Sequence, residues 1–282
     1  MPVVLQAIAI GLLIAMAGTI PRNLLFLANT RFHPEWPWAV PLVALYLWAF
    51  WCYLNGKGPP QSTREARRVG LRAHALPLRL WCWCLVSGGL AIAALVAGLQ
   101  VLNFLVALPV QRAPELQALP PLTAIALLIV AAPFAGVVEE AAFRGYMQGP
   151  IEAEHGLLVA ILVTGTAFAL AHLDFTPVLW PYYVAVSAIY GAVTHFARSI
   201  LPAVLLHTAG NLYSNFDLWF TGGAEWQAAT QAAPSIWQVG APPEFWWRVG
   251  ALLVLGMLGL GAFRKLAGVA RIVRGPAARA GL

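Results

Sequence analysis

Apolar residues in this chain run in long blocks instead of alternating. Blocks close to the ~20 residues that a helix needs to cross a bilayer core recur near 3–20, 37–54, 81–108, 121–149, 156–173, 178–196, 200–215 and 245–263. Only helices and closed barrels satisfy the backbone in lipid, so the pattern predicts an all-α, polytopic transmembrane bundle of about eight spans. Pro181 interrupts the sixth block, and the seventh is short and carries His207, Asn211 and Asn215. Polar side chains in a span cost free energy unless they face a cavity or a partner, so the weak hydropathy of 200–215 is itself a functional signal. No repeat and no separate soluble domain breaks the pattern, which reads as one integral membrane domain over 1–282. Ala15-Met16-Ala17 before Gly18 has the form of a signal-peptidase site, but no basic region precedes it, which favours an uncleaved first span.

Charge sets the expected orientation. Lys57, Arg64, Arg67, Arg68, Arg72 and Arg79 collect in one loop, and Arg264, Lys265, Arg271, Arg274 and Arg279 collect after the last block. Basic loops stay in the cytoplasm, and the six blocks between these clusters keep both on one side. Both termini are then cytoplasmic. The 216–244 loop, with Asp217, Glu225 and Glu244 but no Lys or Arg, lies outside. A basic cytoplasmic tail is expected over 264–282, flexible at its end, where Gly275, Pro276 and Gly281 occur.

Composition removes the alternatives. The chain is 60% hydrophobic and 10% charged, with a mean hydropathy of +0.74, against about 25% charged residues in soluble domains. Twelve Trp, 13 Phe and 7 Tyr exclude a disordered chain. The net charge of +6 sits at the ends of apolar blocks, which points to topology and anionic lipid head groups, with no nucleic-acid partner. Cys52, Cys82 and Cys84 are odd in number and lack CxxC spacing, so they read as membrane-embedded thiols.

The chemistry lies inside the blocks. Glu139 and Glu140 follow the apolar run 124–138, and adjacent carboxylates in lipid demand a reason. Glu140 and Arg144, four apart on a helix, can pair. Glu139 is rotated ~100° away and shares its face with Phe143. His172 ends the run Phe168-Ala169-Leu170-Ala171, and His207 shares a face with Asn211 one turn later. Counting helix rise from the cytoplasmic ends puts Glu139 at ~15 Å, His207 at ~10 Å and Asn211 at ~16 Å; His172 comes out at ~24 Å unless the fifth helix is tilted or displaced. Two Glu and two His also suit zinc as water activator, with Glu139, His172 and His207 as ligands, although no HExxH is present and Asn is a poor zinc ligand. On the residues alone, a catalytic site, a transporter or proton relay, and a non-catalytic scaffold or immunity protein all remain open.

Glu139-Glu140-Ala-Ala-Phe-Arg144, Phe168-Ala-Leu-Ala-His172 and His207-Thr-Ala-Gly-Asn211 resemble the EExxxR, FxxxH and HxxxN motifs of the CPBP family of intramembrane proteases, which includes the Rce1-type CAAX prenyl endopeptidases. The resemblance runs from Ala124 to about Asn215 and implies a catalytic helical core over 121–215. It implies a glutamate-dependent endopeptidase in which Glu139 and His172 activate water, His207 and Asn211 stabilise the oxyanion, and Glu140, Arg144 and Phe168 support the site. No serine or cysteine nucleophile is required, and Ser187 and Ser199 lack a GxSxG context; no cofactor is implied beyond the zinc considered above. It also implies a membrane-associated or lipidated protein or peptide as substrate, or one with a C-terminal sorting segment; the compact form of the chain favours a bacterial inner membrane as the setting.

Overall fold

The computed structural model describes residues 2–106, 119–172, 177–221 and 235–274. Among them the long elements are helices: α1 (Val3–Phe32), α2 (Ala39–Leu54), α3 (Arg64–Leu71), α4 (Leu78–Leu105), α5 (Pro121–Glu139), a π-helical segment (Glu140–Met147), α6 (Gln148–Ala171), α7 (Trp180–Ala197), α8 (Leu201–Thr221), the short α9 (Ile236–Val239) and α10 (Pro243–Arg274). Each of the eight apolar blocks is helical over most of its length, and no described residue lies in a strand. Val3–Phe32, Leu78–Leu105, Pro121–Ala171 and Pro243–Val273 are long and apolar enough to cross a membrane, and Ala39–Leu54 is a shorter apolar helix. Leu13, Leu24, Leu45, Trp48, Trp247 and Leu260 are exposed, a surface suited to acyl chains and not to water. This is an all-α integral membrane protein.

Three local features depart from the sequence expectation. α1 continues through Pro21 and Arg22 to Phe32, well past the expected end near residue 20. The fourth and fifth blocks join through the π segment and α6, which breaks only at Gly156, where φ is 81°. Residues 264–274, expected as the start of the basic tail, are helical: α10 runs to Arg274, with Leu266, Val269 and Ala270 buried in the core. The remainder of that tail, the part of the 216–244 loop that holds Glu225, and residues 173–176 lie outside the described residues.

The chain forms two compact units, the first made of Met1–Ala73, Gln111–Ala160 and His207–Glu225, the second of His74–Val110, Ile161–Leu206 and Trp226–Leu282. In the first unit Asn29 is fully buried and closes the α1–α2 hairpin: its Nδ2 donates to the carbonyls of His33 at 2.9 Å and Trp36 at 2.8 Å, and its Oδ1 accepts from the Ala39 N–H at 2.9 Å. Arg67, expected only as a topology charge, is buried and donates to the carbonyls of Tyr53, Lys57, Gly58 and Pro60 while lying 4.1 Å from the Tyr53 ring centre. It thereby ties the end of α2, through the Tyr53 carbonyl, to the loop that follows. The Tyr146 hydroxyl donates to the Arg67 carbonyl at 2.7 Å and fastens α3 to the π segment.

In the second unit Leu80, Cys84, Tyr190, Val193, Ala203, Leu206 and Leu266 form the core. Cys52, Cys82 and Cys84 are free thiols, Cys84 being buried. Ser199 takes a structural place at the α7–α8 turn: its hydroxyl donates to the His74 carbonyl at 2.8 Å and accepts from the His74 N–H at 3.2 Å.

Helix contacts in the first unit are tight enough to test. A Cβ at Gly145 would meet the Gly70 carbonyl oxygen at 2.8 Å and that of Leu71 at 3.2 Å, both backbone atoms. Gly145→Ala should cost about 1–3 kcal/mol through overpacking, read as a lower thermal midpoint of the detergent-purified protein. Gly250→Ala, where nothing lies within 4 Å, should leave the midpoint unchanged or raise it. Equal midpoints for both variants would contradict the packing described.

Candidate active site

Glu139 ends α5 and Glu140 opens the π segment, whose i→i+5 hydrogen bonding widens the helix. Such bulges occur mostly within longer helices, often at functional sites. Small residues allow it here: Ala141, Ala142 and Gly145 are buried, and Gly11 of α1 approaches so closely that a Cβ there would meet the Ala142 carbonyl oxygen at 3.0 Å. The segment is therefore clamped by backbone on two sides, by α1 and by α3.

The expected Glu140–Arg144 pair is present. Arg144 Nη1 lies 3.2 Å from Glu140 Oε1, and both side chains are fully buried. His207, buried on α8, meets the same carboxylate oxygen, Nδ1 to Oε1 at 2.8 Å. An ionised carboxylate only accepts, so Nδ1 carries the shared proton and the ring is held with Nε2 on its other side. Nε2 lies 3.7 Å from Glu139 Oε2. Glu140 thus orients the imidazole and Arg144 matches the charge of Glu140, while Glu139 makes no hydrogen bond through its buried Oε2 and keeps its side chain 25% exposed. The adjacent acids have different surroundings: one is consumed by structure, the other is available.

α8 is held beside α5 by Asn215, whose Nδ2 donates to the Leu128 carbonyl at 2.8 Å. Asn211, one turn beyond His207, is half-buried and makes no hydrogen bond among the described residues. Its amide offers two N–H donors to an incoming oxygen.

His172 and Phe168 belong to the second unit. The His172 ring nitrogen Nδ1 lies 2.8 Å from the Phe168 carbonyl, one turn back, so Nδ1 donates and Nε2 is left with the lone pair of a base. Its ring is 4.4 Å from that of Phe168 and 4.7 Å from that of Tyr183, centre to centre. The FxxxH spacing therefore has a local physical meaning: the phenylalanine supplies both a ring and a carbonyl that fix the histidine tautomer.

The structure brings Glu139, Glu140, Arg144 and His207 together in the first unit, with Asn211 on the same helix as His207. Sequence reasoning missed Arg22, whose charge acts on Glu139 from α1. It stands beyond the expected end of the first span, where an arginine reads as a boundary residue. Among the described residues no group of three or more His, Cys, Asp or Glu side chains is placed to hold a metal. In the first unit Glu140 Oε1 is already engaged by Arg144 and His207.

Residues 121–213 match the family model of type II CAAX prenyl endopeptidases, Rce1-like. The matched segment contains all three motifs and bears out the resemblance drawn from them. No curated protein and no solved structure matches the chain.

Removing Arg144 should expose what the buried pair contributes. Arg144→Met leaves the Glu140 carboxylate without its cation in a fully buried position, and breaking such a pair typically costs about 3–5 kcal/mol. Thermal unfolding in detergent should show a large drop in midpoint; an Arg144→Met protein as stable as its parent would mean that the pair is not what holds the π segment.

Proposed function

We propose that this protein is an intramembrane endopeptidase that hydrolyses a peptide bond in a membrane-associated or lipidated protein or peptide, with Glu139 as the base that activates water. The observation that carries the reading is the division of labour between neighbouring acids. Glu140 is committed to Arg144 and His207, whereas Glu139 is partly accessible, with Oε2 free of hydrogen bonds. The Rce1-like match over 121–213 supports a peptide hydrolase of the CAAX type.

The chemistry follows from these roles. Glu139 takes a proton from water, the hydroxide oxygen adds to the scissile carbonyl carbon, and the carbonyl electron pair moves onto oxygen. Asn211 and the His207 ring stabilise that alkoxide in surroundings where water does not compete. The intermediate collapses, the C–N bond breaks, and the proton passes to the leaving amine. By the family resemblance His172 shares this proton traffic, for which its Nδ1-to-carbonyl bond leaves Nε2 as the basic atom. The cytoplasmic half of a bacterial inner membrane is the proposed setting, with both termini in the cytoplasm.

A quenched fluorescent, farnesylated peptide ending in a CAAX sequence, presented to the full chain in proteoliposomes, provides the assay. Glu139→Gln should lower turnover by about 10²–10⁴-fold, the usual contribution of a general base, in a protein that remains monodisperse. Asn211→Ala should lower kcat by about 10²–10³-fold, as for loss of one oxyanion donor. Mass spectrometry of intact protein termini in native membranes, comparing parent with Glu139→Gln, identifies the natural substrate. Cleavage by Glu139→Gln at the parent rate would sink the assignment.

A further inference from the structure

α5 and the π segment supply two carboxylates to this site but only one arginine. Arg144 answers Glu140, and among the described residues Glu139 is paired with the His207 ring, at 3.7 Å. A second permanent cation stands on α1. Arg22 is half-buried, its guanidinium 5.4 Å from the ring centres of both Phe26 and Phe134, and its charge acts on Glu139. Among the described residues it makes no hydrogen bond or ion pair, and its Nε is buried without an acceptor.

Helix packing places this cation at the level of the site. α1 runs antiparallel to α5 and the π segment: a Cβ at Gly11 would meet Met147 at 2.7 Å, and one at Gly18 would overlap the Val138 side chain. Arg22 follows Gly18 by one turn and reaches Phe134, five residues before Glu139, or ~7.5 Å along the helix. Ala7, Gly11, Gly18 and Asn29 are the buried residues of α1. Arg22 follows their helical spacing, on the face turned toward the protein. Aromatic faces supply part of the attraction that a desolvated guanidinium needs, but two rings cannot replace an anion in a membrane-embedded site. With Arg22 counted, two carboxylates face two guanidinium groups.

We infer that Arg22 is a positioning residue of the candidate active site: it balances the charge of Glu139 from α1 and fixes where that carboxylate sits relative to the reacting water. The inference rests on the reading of Glu139 as the water-activating acid, and it extends the site to a helix outside the matched segment 121–213.

Two measurements on the full chain test it, and the first needs no substrate. Thermal midpoints in detergent are compared for the parent, Arg22→Met, Glu139→Gln and the double variant. If the charges are coupled, Glu139→Gln lowers the midpoint when Arg22 is present, because it strands a cation, and lowers it less, or raises it, when Arg22 is Met. Equal shifts in the two backgrounds overturn the inference. The second measurement uses the farnesylated CAAX peptide: Arg22→Met should reduce kcat at least tenfold with KM within twofold, and Arg22→Lys should recover most of the loss. A changed KM with unchanged kcat, or a lysine variant no better than methionine, also overturns it. If Arg22→Met does not yield monodisperse protein, Arg22→Gln takes its place in both comparisons. A parent that cleaves no peptide would count against the protease reading, while the thermal comparison would still report whether the two charges are coupled.

Discussion

One carboxylate oxygen organises the first unit. Glu140 Oε1 is met by a guanidinium at 3.2 Å and an imidazole at 2.8 Å, and both the Glu140 and Arg144 side chains are fully buried. A buried ion in such a place is costly unless its partners are well placed, so Arg144 and His207 have little freedom. Because Arg144 belongs to the π segment and His207 to α8, the same oxygen fixes the register between two helices far apart in sequence. Every feature of the candidate site inherits that constraint: the His207 ring plane, the position of Asn211 one turn further along, and the contrast between Glu139 and its neighbour.

Much of this was legible from residue order. The apolar blocks located the helices, and the cost of ionised groups in lipid drew attention to the two glutamates and the intramembrane histidines. The four-residue spacing of Glu140 and Arg144 anticipated their contact, since side chains at that distance meet on a helix. The π segment was not legible, because a change from i→i+4 to i→i+5 bonding has no compositional mark; Ala141, Ala142 and Gly145 are equally at home in an α-helix. Arg22 was hidden for a different reason. After Pro21 and ahead of Asn23, it has the look of a span boundary, and only the observed continuation of α1 to Phe32 puts it inside the protein.

Arg67 and Ser199, to which the sequence assigned no chemistry, turn out to be architecture. A loop arginine counted for topology satisfies four carbonyls, and a serine near functional helices holds the backbone of His74 in both directions. Sequence gives the charge or the hydroxyl, but burial decides its use. The same distinction separates the two glutamates, identical in kind and adjacent in the chain, which differ only in how many donors reach them.

Asn29 bears on how such a protein is made. Its amide closes the hairpin between α1 and α2 with three hydrogen bonds to backbone only a few residues away, so the polar turn needs no help from later parts of the chain. During synthesis the first two helices can therefore enter the bilayer as a self-contained pair. Gly11 and Gly18 on that pair form the groove against which the acid-bearing helix packs.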